Sequence, residues 1–400
     1  MTFHRTYPII RLALIVILTI TEISYCASID QPEDVCISVV RLITSHGFEN
    51  VRAYFSSGTL DVEYENRIYF REKDALKIII PELMEKVPDI QTLSLFPKKD
   101  AVPLFQITIS RDNYRASLGT EQSFFDQLVM SPVSKGHIHG DGTFNSSVGK
   151  VDITLHPFAN IALGRLYDPF IPQYAIAPEF SVFYGKGIKS ISRLRFMLYD
   201  ELKMNNRKVS LDVFYLEYKY SQAILKDVSL SAGYFGENRY GISSDTVLFG
   251  WQSKLGFGCS TAFLGNIYYT DKIIYYTKMW NWTVLGDVYY KLPSLNMLVI
   301  TRFGRFLHQD NGVSLSVVRF FNNVGMNVFI AKTDQGNIYG LELQLLTYPH
   351  RNFKPYYTRL RLPVVINVGY RYSEKIVGIK LSPLYNSLDQ ISESIWLMDF

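Results

Sequence analysis

Five arginines in the second half of the chain carry the clearest candidate chemistry. A guanidinium group presents a planar fork of N–H donors that can bind a carboxylate through two hydrogen bonds, so arginines on one face could hold acidic sugars. Exposed tyrosine and tryptophan rings could stack on sugar rings beside them. The alternative is that these side chains solvate the interior of a barrel or lie near a membrane edge. The candidate contacts are Arg302, Arg319, Arg359, Arg361 and Arg371.

The seven histidines show no catalytic spacing. A hydrolase needs a nucleophile with its base, or a pair of carboxylates. The nearest approach is His308-Gln309-Asp310, in a predicted hairpin loop. A metal site at His137, His139 and Asp141 would lack a second ligand cluster, so an ordinary polar loop is favoured there. The sequence therefore predicts no enzyme, no metal site and no cofactor.

The composition narrows the class of protein. The chain has 400 residues, 41 Lys+Arg against 37 Asp+Glu, and a formal net charge of +4. With 48% hydrophobic residues, it is neither disordered nor coiled-coil in composition, and no nucleic-acid partner is expected. The chain contains 28 Tyr, 26 Phe and 4 Trp. So many aromatic residues at near-zero mean hydropathy favour a β-rich protein with much exposed aromatic surface.

Residues 1–28 have the pattern of a secretory signal peptide. Arg5 and Arg11 precede the apolar run Leu12–Leu18, and small residues follow near position 26. A transmembrane anchor is the alternative, but the run is shorter than the roughly 20 residues that a spanning helix needs.

The three cysteines leave two questions open. Cys26 stands where a bacterial lipoprotein signal would place its lipid anchor, although Ser24-Tyr25 is a poor match to that signal. Lipidation and a removed or inert Cys26 are both compatible with the sequence. An oxidising compartment would permit a bond between Cys36 and Cys259, but the two lie in different predicted domains, which favours two packed thiols.

Residues 34–110 read as a small α+β module. Helical spacing runs from Val35 to Ile43, and a second helix is predicted from Asp74, with Pro81 bending it or marking its start. Four strand-like segments complete the order αββαββ. Residues 111–145 are turn-rich and read as a linker. In a secreted protein such a module more often binds a partner than catalyses a reaction.

Residues 146–400 change to alternating segments of about ten residues separated by turns. The clearest is the segment from Tyr339 to Leu345, which has an apolar face and a polar face. It either ends near Leu345 or continues through a bulge. The segment Val209–Tyr220 changes phase near Phe214, which predicts a one-residue bulge.

These segments predict an antiparallel outer-membrane β-barrel of about 12–14 strands, preceded by the periplasmic module. Aromatic residues at segment ends suit the two membrane interfaces, and Trp396, Met398 and Phe400 alternate as in a closing strand. A soluble β-sandwich, barrel or propeller shares the same alternation and is the alternative.

Several stretches resemble the YjbH-type family of outer-membrane exopolysaccharide proteins. Near the N-terminus the similar stretches are Gly47–Val51 and Tyr64–Arg67. The most similar region comprises Gly304-Arg305-Phe306-Leu307, Asp310, Gly312-Val313, Ser316, Phe320, Val324-Gly325, Phe329 and Lys332-Thr333-Asp334.

The resemblance implies an outer-membrane barrel, often lipoprotein-like, with periplasmic α/β modules. Its implied role is secretion or assembly of an extracellular polysaccharide, as in biofilms, beside other polysaccharide-export proteins. Members of the family are longer and have more barrel segments, which leaves the pore diameter open. A general porin or small-solute channel and a soluble periplasmic glycan-binding β-protein are the alternative functions.

Overall fold

The computed structural model of the chain describes residues 33–373 apart from short internal gaps. These gaps fall at 70–71, 119–120, 132, 134–143, 164–169, 202–207, 223–225, 237, 250–253, 270–273, 322–323, 347–356 and 364. The proposed signal segment with Cys26, the loop with His137, His139 and Asp141, and the segment ending at Phe400 lie outside the described residues.

The N-terminal unit is a mixed sheet with helices packed on it. Its first elements follow the order α1β1β2α2β3β4β5. This is the predicted order αββαββ with one addition, the two-residue strand β4 before β5. Strands β2 and β3 are parallel because α2 crosses between them, and the other pairs are antiparallel. The elements are α1 (Glu33–Ser45), β1 (Glu49–Ser56), β2 (Thr59–Glu65), α2 (Glu72–Lys86), β3 (Thr92–Lys99), β4 (Val102–Pro103), β5 (Gln106–Ser110), α3 (Arg111–Ala116), α4 (Glu121–Asp126) and β6 (Val129–Ser131).

The core of this unit forms where α2 covers the sheet. Leu76, Ile79 and Leu83 recur at helical spacing and are fully buried against inward residues of the strands. Pro81 lies inside the helix and does not mark its start, since α2 begins at Glu72.

A 15-stranded sheet makes up the rest of the described chain. Fourteen strands form one hydrogen-bonded path in the order β20-β7-β8-β9-β10-β11-β12-β13-β15-β16-β17-β18-β19-β21, and β14 pairs with β13 alone. The strands are β7 (Val151–Leu163), β8 (Phe170–Gly185), β9 (Ile188–Asp200), β10 (Val209–Gln222), β11 (Lys226–Gly236), β12 (Arg239–Phe249), β13 (Leu255–Tyr269), β14 (Ile274–Tyr276), β15 (Asn281–Leu292), β16 (Met297–Arg305), β17 (Asn311–Phe321), β18 (Val324–Thr333), β19 (Asn337–Leu346), β20 (Thr358–Arg361) and β21 (Val365–Ser373).

The pairing is antiparallel throughout, apart from β20, which lies parallel to β7. Among the described strands, no pairing joins β20 to β21, so the path has two edges. The structure thus establishes a mainly β protein built on a large antiparallel sheet, a coarser result than the closed barrel that the sequence predicts.

The strand pairing tests the two bulges that the sequence analysis considered, in β10 and in β19. The register of β10 against β9 shifts between Leu211 and Val213, so the predicted bulge exists two to three residues earlier than expected. Strand β19 ends at Leu346 and pairs with both neighbours without a register shift. The described length of this strand therefore contains no bulge.

The large sheet exposes its apolar face and buries its polar face, which is the reverse of a sheet in water. On β19 the apolar residues Tyr339, Leu341 and Leu343 are exposed, whereas Gln344 on the opposite face is buried. On β11 Leu230 is 46% exposed, whereas Ser231 beside it is 8% exposed. We call the exposed apolar side the outward face and the buried polar side the inward face.

The remaining cysteines are not paired. Cys36 is partly buried on α1, and Cys259 lies exposed on the outward face of β13; both are free thiols. Within the described ranges, no helix combines the length and apolar character required to cross a bilayer.

The helix packing in the N-terminal unit is testable. Replacing Ile79 with alanine should lower the free energy of unfolding of this unit by about 2–5 kcal/mol, because it leaves a cavity under α2. The measurement is urea denaturation of the full chain. The matched control is Leu118→Ala in the same unit, where the leucine is 67% exposed. Equal losses in the two variants would contradict the core assignment.

Candidate functional site

The most elaborate cluster of charged side chains lies where the N-terminal unit meets the inward face of the large sheet. We call this cluster the charged seam. Five carboxylates and six cations form it, and each carboxylate has a cation within 4 Å. The members are Glu49, Glu65, Arg67, Asp100, Lys150, Asp152, Lys189, Glu217, Lys219, Arg359 and Arg361.

The topology of the N-terminal sheet brings its contributions together at one end. Glu49 opens β1 and pairs in register with Glu65, which closes β2. Because β3 runs parallel to β2, its end lies beside Glu65, and Asp100 follows in the next turn. Arg67 comes two residues after β2. Asp100 itself adopts a positive φ of 53° in this turn.

The large sheet supplies the other half of the seam from four strands. Asp152 on β7, Lys189 on β9, Glu217 on β10 and Arg359 on β20 all lie on the inward face. These strands are neighbours around one edge of the sheet, and the four side chains are close to the end at which β7 begins. The N-terminal unit therefore contacts the interior of the large sheet at that end.

Arg359 joins the two units most directly. Its Nη1 lies 2.5 Å from Glu49 Oε2, and its Nε binds Asp152 Oδ1. Lys150 Nζ donates to the other Glu49 oxygen at 3.0 Å. Glu49 is fully buried, so its charge would be very costly without these partners.

Arg67 reaches in the opposite direction, from the N-terminal unit into the sheet. Its Nη2 lies 2.5 Å from Glu65 Oε1 and 3.0 Å from Asp100 Oδ1, and its Nη1 lies 3.5 Å from Asp152 Oδ2. Burial alone would lower the pKa of Arg67, but the surrounding carboxylates outweigh burial and raise it. Arg67 therefore stays a cation. Arg361 adds a bond from its Nη2 to the Arg67 carbonyl oxygen at 3.2 Å.

Asp100 extends the seam towards β9 and β10. Lys189 Nζ lies 3.4 Å from Asp100 Oδ2 and 2.9 Å from Glu217 Oε2. Burial alone would raise the pKa of Asp100, but Lys189 and Arg67 outweigh it and hold that pKa well below its usual range. The carboxylate is thus ionised throughout the physiological range of pH.

Backbone contacts reinforce the junction. Asn50 has a positive φ of 50°, and its backbone N–H donates to the Asn145 carbonyl at 3.0 Å. Its side chain donates to Ser147 Oγ and accepts from the Ser147 N–H. Val51 forms a β-bridge with Phe144. The chain leading into β7 therefore passes along β1 and is fixed there.

The predicted arginines separate into four situations. Arg359 and Arg361 lie together in the seam, two residues apart on β20. Arg302 also lies on the inward face, where its Nε donates to Asp287 Oδ1 at 2.7 Å. Arg371 is on β21 opposite Gly340, and its side chain is outside the described part of the structure.

Arg319 differs from the sequence prediction because it lies on the outward face. It shares parity with Val313 and Leu315 on β17, and both are exposed. Its guanidinium lies 4.7 Å from the centre of the Phe321 ring at the end of the strand. An arginine near a strand end can cover apolar surface with its stem while its charge reaches water, which explains the position.

Internal pairing limits the chemistry of the inward arginines. Arg302 and Arg359 are neutralised by Asp287, Asp152 and Glu49, so these two guanidinium groups are not free to bind an acidic sugar. The histidine that comes nearest to a catalytic spacing, His308, is exposed, whereas Asp310 is buried. Among the described residues, no group of three His, Cys, Asp or Glu side chains could hold a metal ion.

Apart from Arg359 and Arg361, the members of the seam were not predicted. Glu49 and Arg67 fall in the two N-terminal stretches that carry the family resemblance, and this was the one available signal. Their partners are Asp152 and Arg359, more than 80 residues away in the chain, so no local pattern marks the contacts.

The fold and the seam define a two-part class of protein. In this class an α+β unit is joined by buried ion pairs to a large sheet whose exposed face is apolar. The family model YjbH, described as "Exopolysaccharide biosynthesis protein YbjH", matches residues 30–340. The chain therefore belongs to this family, as the resemblance predicts. A search of curated proteins found no match to the chain.

The seam makes a prediction about the junction. Arg359→Gln leaves two buried carboxylates without their shared cation and should lower the free energy of unfolding by about 3–5 kcal/mol. Urea denaturation of the full chain measures the loss. Arg319→Gln is the control and should change stability by less than about 0.5 kcal/mol. A stable Arg359→Gln junction would contradict the structural role of the seam.

The pKa of Asp100 makes a second prediction. Because folding depresses this pKa, its contribution to stability is fully present above the unfolded-state value of about 4 and is lost as pH falls below that value. The free energy of unfolding, followed from pH 7 to pH 3, should fall less steeply in Asp100→Asn than in the unaltered protein. If the free energy of unfolding fell equally steeply in the two proteins, Asp100 would not be the ionised partner of Arg67 and Lys189.

Proposed function

We propose that the protein is a non-enzymatic outer-membrane protein that assists secretion or assembly of an extracellular polysaccharide. In this proposal the large sheet is a β-barrel across the outer membrane, and the N-terminal unit lies in the periplasm. Its partners are outer-membrane lipid, the polysaccharide and other export proteins. Cys26 is the candidate lipid anchor. The family description supplies the link to exopolysaccharide.

The inverted polarity of the large sheet carries the proposal. A sheet in water buries its apolar face, whereas this sheet exposes leucine, valine and aromatic side chains and buries serine, aspartate and glutamine. Hydrocarbon around the outward face would remove that conflict, because a membrane barrel has apolar residues outside and polar residues inside. Exposed outward residues include Leu216, Leu230, Ile242, Phe257, Phe263, Val284, Phe303, Leu315, Val328, Ile330, Leu341 and Leu343.

The connection between the two edge strands supports a barrel. Residues 362–364 join β20 to β21, so the ends of these strands lie within roughly 15 Å of each other. If the 14-strand path were flat, its edges would be about 60 Å apart at the usual spacing between strands. The sheet must therefore curl until its edges approach. In the proposed barrel these edges would also pair with each other, because a lipid environment leaves no long strand edge unpaired.

The seam assigns the two ends of the proposed barrel. The N-terminal unit docks at the end where β7 begins, and the β8–β9, β15–β16 and β17–β18 connections at that end are short. Short turns are typical of the periplasmic side of such barrels. The other end carries the β7–β8 and β9–β10 connections and the one that contains β14, while residues 347–357 form one long connection at the seam end. This orientation agrees with a periplasmic N-terminal unit.

The test combines cell fractionation with a deletion. We expect the protein in the outer-membrane fraction, with gel mobility that changes on boiling, because a closed barrel often resists detergent until it is heated. Deleting the gene should remove most surface polysaccharide without changing membrane integrity. Re-expression of the unaltered gene should restore the polysaccharide.

Three results would contradict the proposal. Release by osmotic shock without detergent would indicate a soluble periplasmic protein. Conductance in reconstituted membranes combined with normal polysaccharide in the deletion strain would indicate a general porin. Loss of polysaccharide that the unaltered gene fails to restore would remove the genetic support.

A further inference from the structure

The connection between β16 and β17 is unusual because three of its five residues are buried. Residues 306–310 join these strands at the end of the sheet opposite the charged seam. Connecting loops usually run over the surface. Here Phe306 and Asp310 are fully buried and Leu307 nearly so. We call residues 306–310 the interior hairpin.

Contacts of Leu307 show where this hairpin lies. Leu307 belongs to a buried apolar cluster with residues of β9, β10, β11 and β13. Strand β15 separates β13 from β16 in the sheet, so the hairpin must lean across the inward face to join them. Asn281 on β15 fixes it there, since its Nδ2 donates to the Leu307 carbonyl at 2.8 Å. The other cluster members are Ile191, Val213, Tyr215, Phe235, Ala262 and Leu264.

Two glycines stand at the base of the hairpin and are paired with each other across the strands. Gly304 has a φ of +136°, and a Cβ at that position would lie 2.2 Å from the Val284 carbonyl oxygen. A Cβ on Gly312 would lie 2.3 Å from the Lys332 carbonyl oxygen. Only glycine allows both close approaches. Gly304 and Gly312 therefore leave the base of the hairpin without side chains, and the hairpin can bend there.

Asp310 lacks the partners that a buried carboxylate needs. Neither of its carboxylate oxygens has a hydrogen-bond partner in the structure as described, and neither has Asn281 Oδ1 beside the hairpin. Buried acceptors without donors are costly. The hairpin and its neighbour Asn281 thus present three buried oxygens without hydrogen-bond donors. This arrangement indicates a site where a ligand supplies the donors.

The chemistry favours hydroxyl groups as those donors. A divalent cation usually takes six or more oxygen ligands, several of them from carboxylates. Among the described residues, no cluster of three His, Cys, Asp or Glu side chains accompanies Asp310. A sugar chain carries many O–H donors, and a carboxylate can accept two of them.

We propose that the interior hairpin is a constriction inside the sheet that a glycan chain displaces, and that Asp310 then accepts hydrogen bonds from the sugar hydroxyls. This inference rests on the proposed function. Without a glycan, Leu307 holds the hairpin against the apolar cluster. When the glycan chain enters, the hairpin bends at Gly304 and Gly312. The Asp310 carboxylate, which has no hydrogen-bond partner without the glycan, then accepts hydrogen bonds from the sugar.

The test measures conductance of the purified full-length protein in planar bilayers. The probe is a size-fractionated acid hydrolysate of the polysaccharide that the producing cells secrete. We expect this probe to block the unaltered protein, and Asp310→Asn should raise the half-blocking concentration at least tenfold. The control, Asp334→Asn, alters an exposed aspartate in the β18–β19 turn at the same end and should leave the block unchanged.

A second variant tests the position of the hairpin independently of the carboxylate. Leu307→Ser removes the apolar anchor and should raise conductance without probe several-fold. Unchanged conductance in Leu307→Ser, or an unchanged block in Asp310→Asn, would overturn the inference and leave the proposed function standing. Calcium that alters conductance only when Asp310 is present, with the glycan block unaffected, would overturn it in favour of a cation. If the probe fails to block the unaltered protein, the inference is overturned, and the deletion strain decides the proposed function separately.

Discussion

The alternation of side chains along a strand is the constraint on which the structure depends. Successive residues point to opposite faces, so a strand that carries leucine at every second position must place its intervening polar residues on the other side. In this chain the strands from β7 to β19 keep an apolar outward face, and the inward face holds the buried polar residues together with the apolar cluster around Leu307. A slip of one residue would reverse both faces. The bulge in β10 shows how the chain corrects its phase to preserve them.

Polar residues on the inward face create a second requirement, because buried charges must be paired. The charged seam meets this requirement by joining carboxylates of one unit to cations of the other. Ion pairs of this kind add little net stability relative to apolar packing, but removing one partner is costly. Their main consequence is geometric. The fork of Arg359 fits Glu49 and Asp152 in one relative position, and Arg67 defines a second contact with Asp152.

The sequence predicted features that depend on neighbouring residues. The faces of β19, the bulge in β10 and the helix-and-strand order of the N-terminal unit follow from periods of two and 3.6, which a single sequence displays. Arg319 shows where this reasoning fails, because apolar residues occupy both parities around Val317 and Val318. The seam was beyond such reasoning, since Glu49 and Arg359 are 310 positions apart. The buried position of the hairpin at Leu307 likewise depends on packing across the sheet.

The most direct test of the central claim is the environment of alternate residues along β19. With Cys26, Cys36 and Cys259 replaced by serine, single cysteines at positions 339 to 345 can carry a nitroxide label in protein reconstituted into lipid. The account predicts that labels at 339, 341, 343 and 345 are accessible to oxygen, which concentrates in lipid. Labels at 340, 342 and 344 should not show this accessibility. A uniform response, or the opposite phase, would contradict an outward face in contact with the membrane.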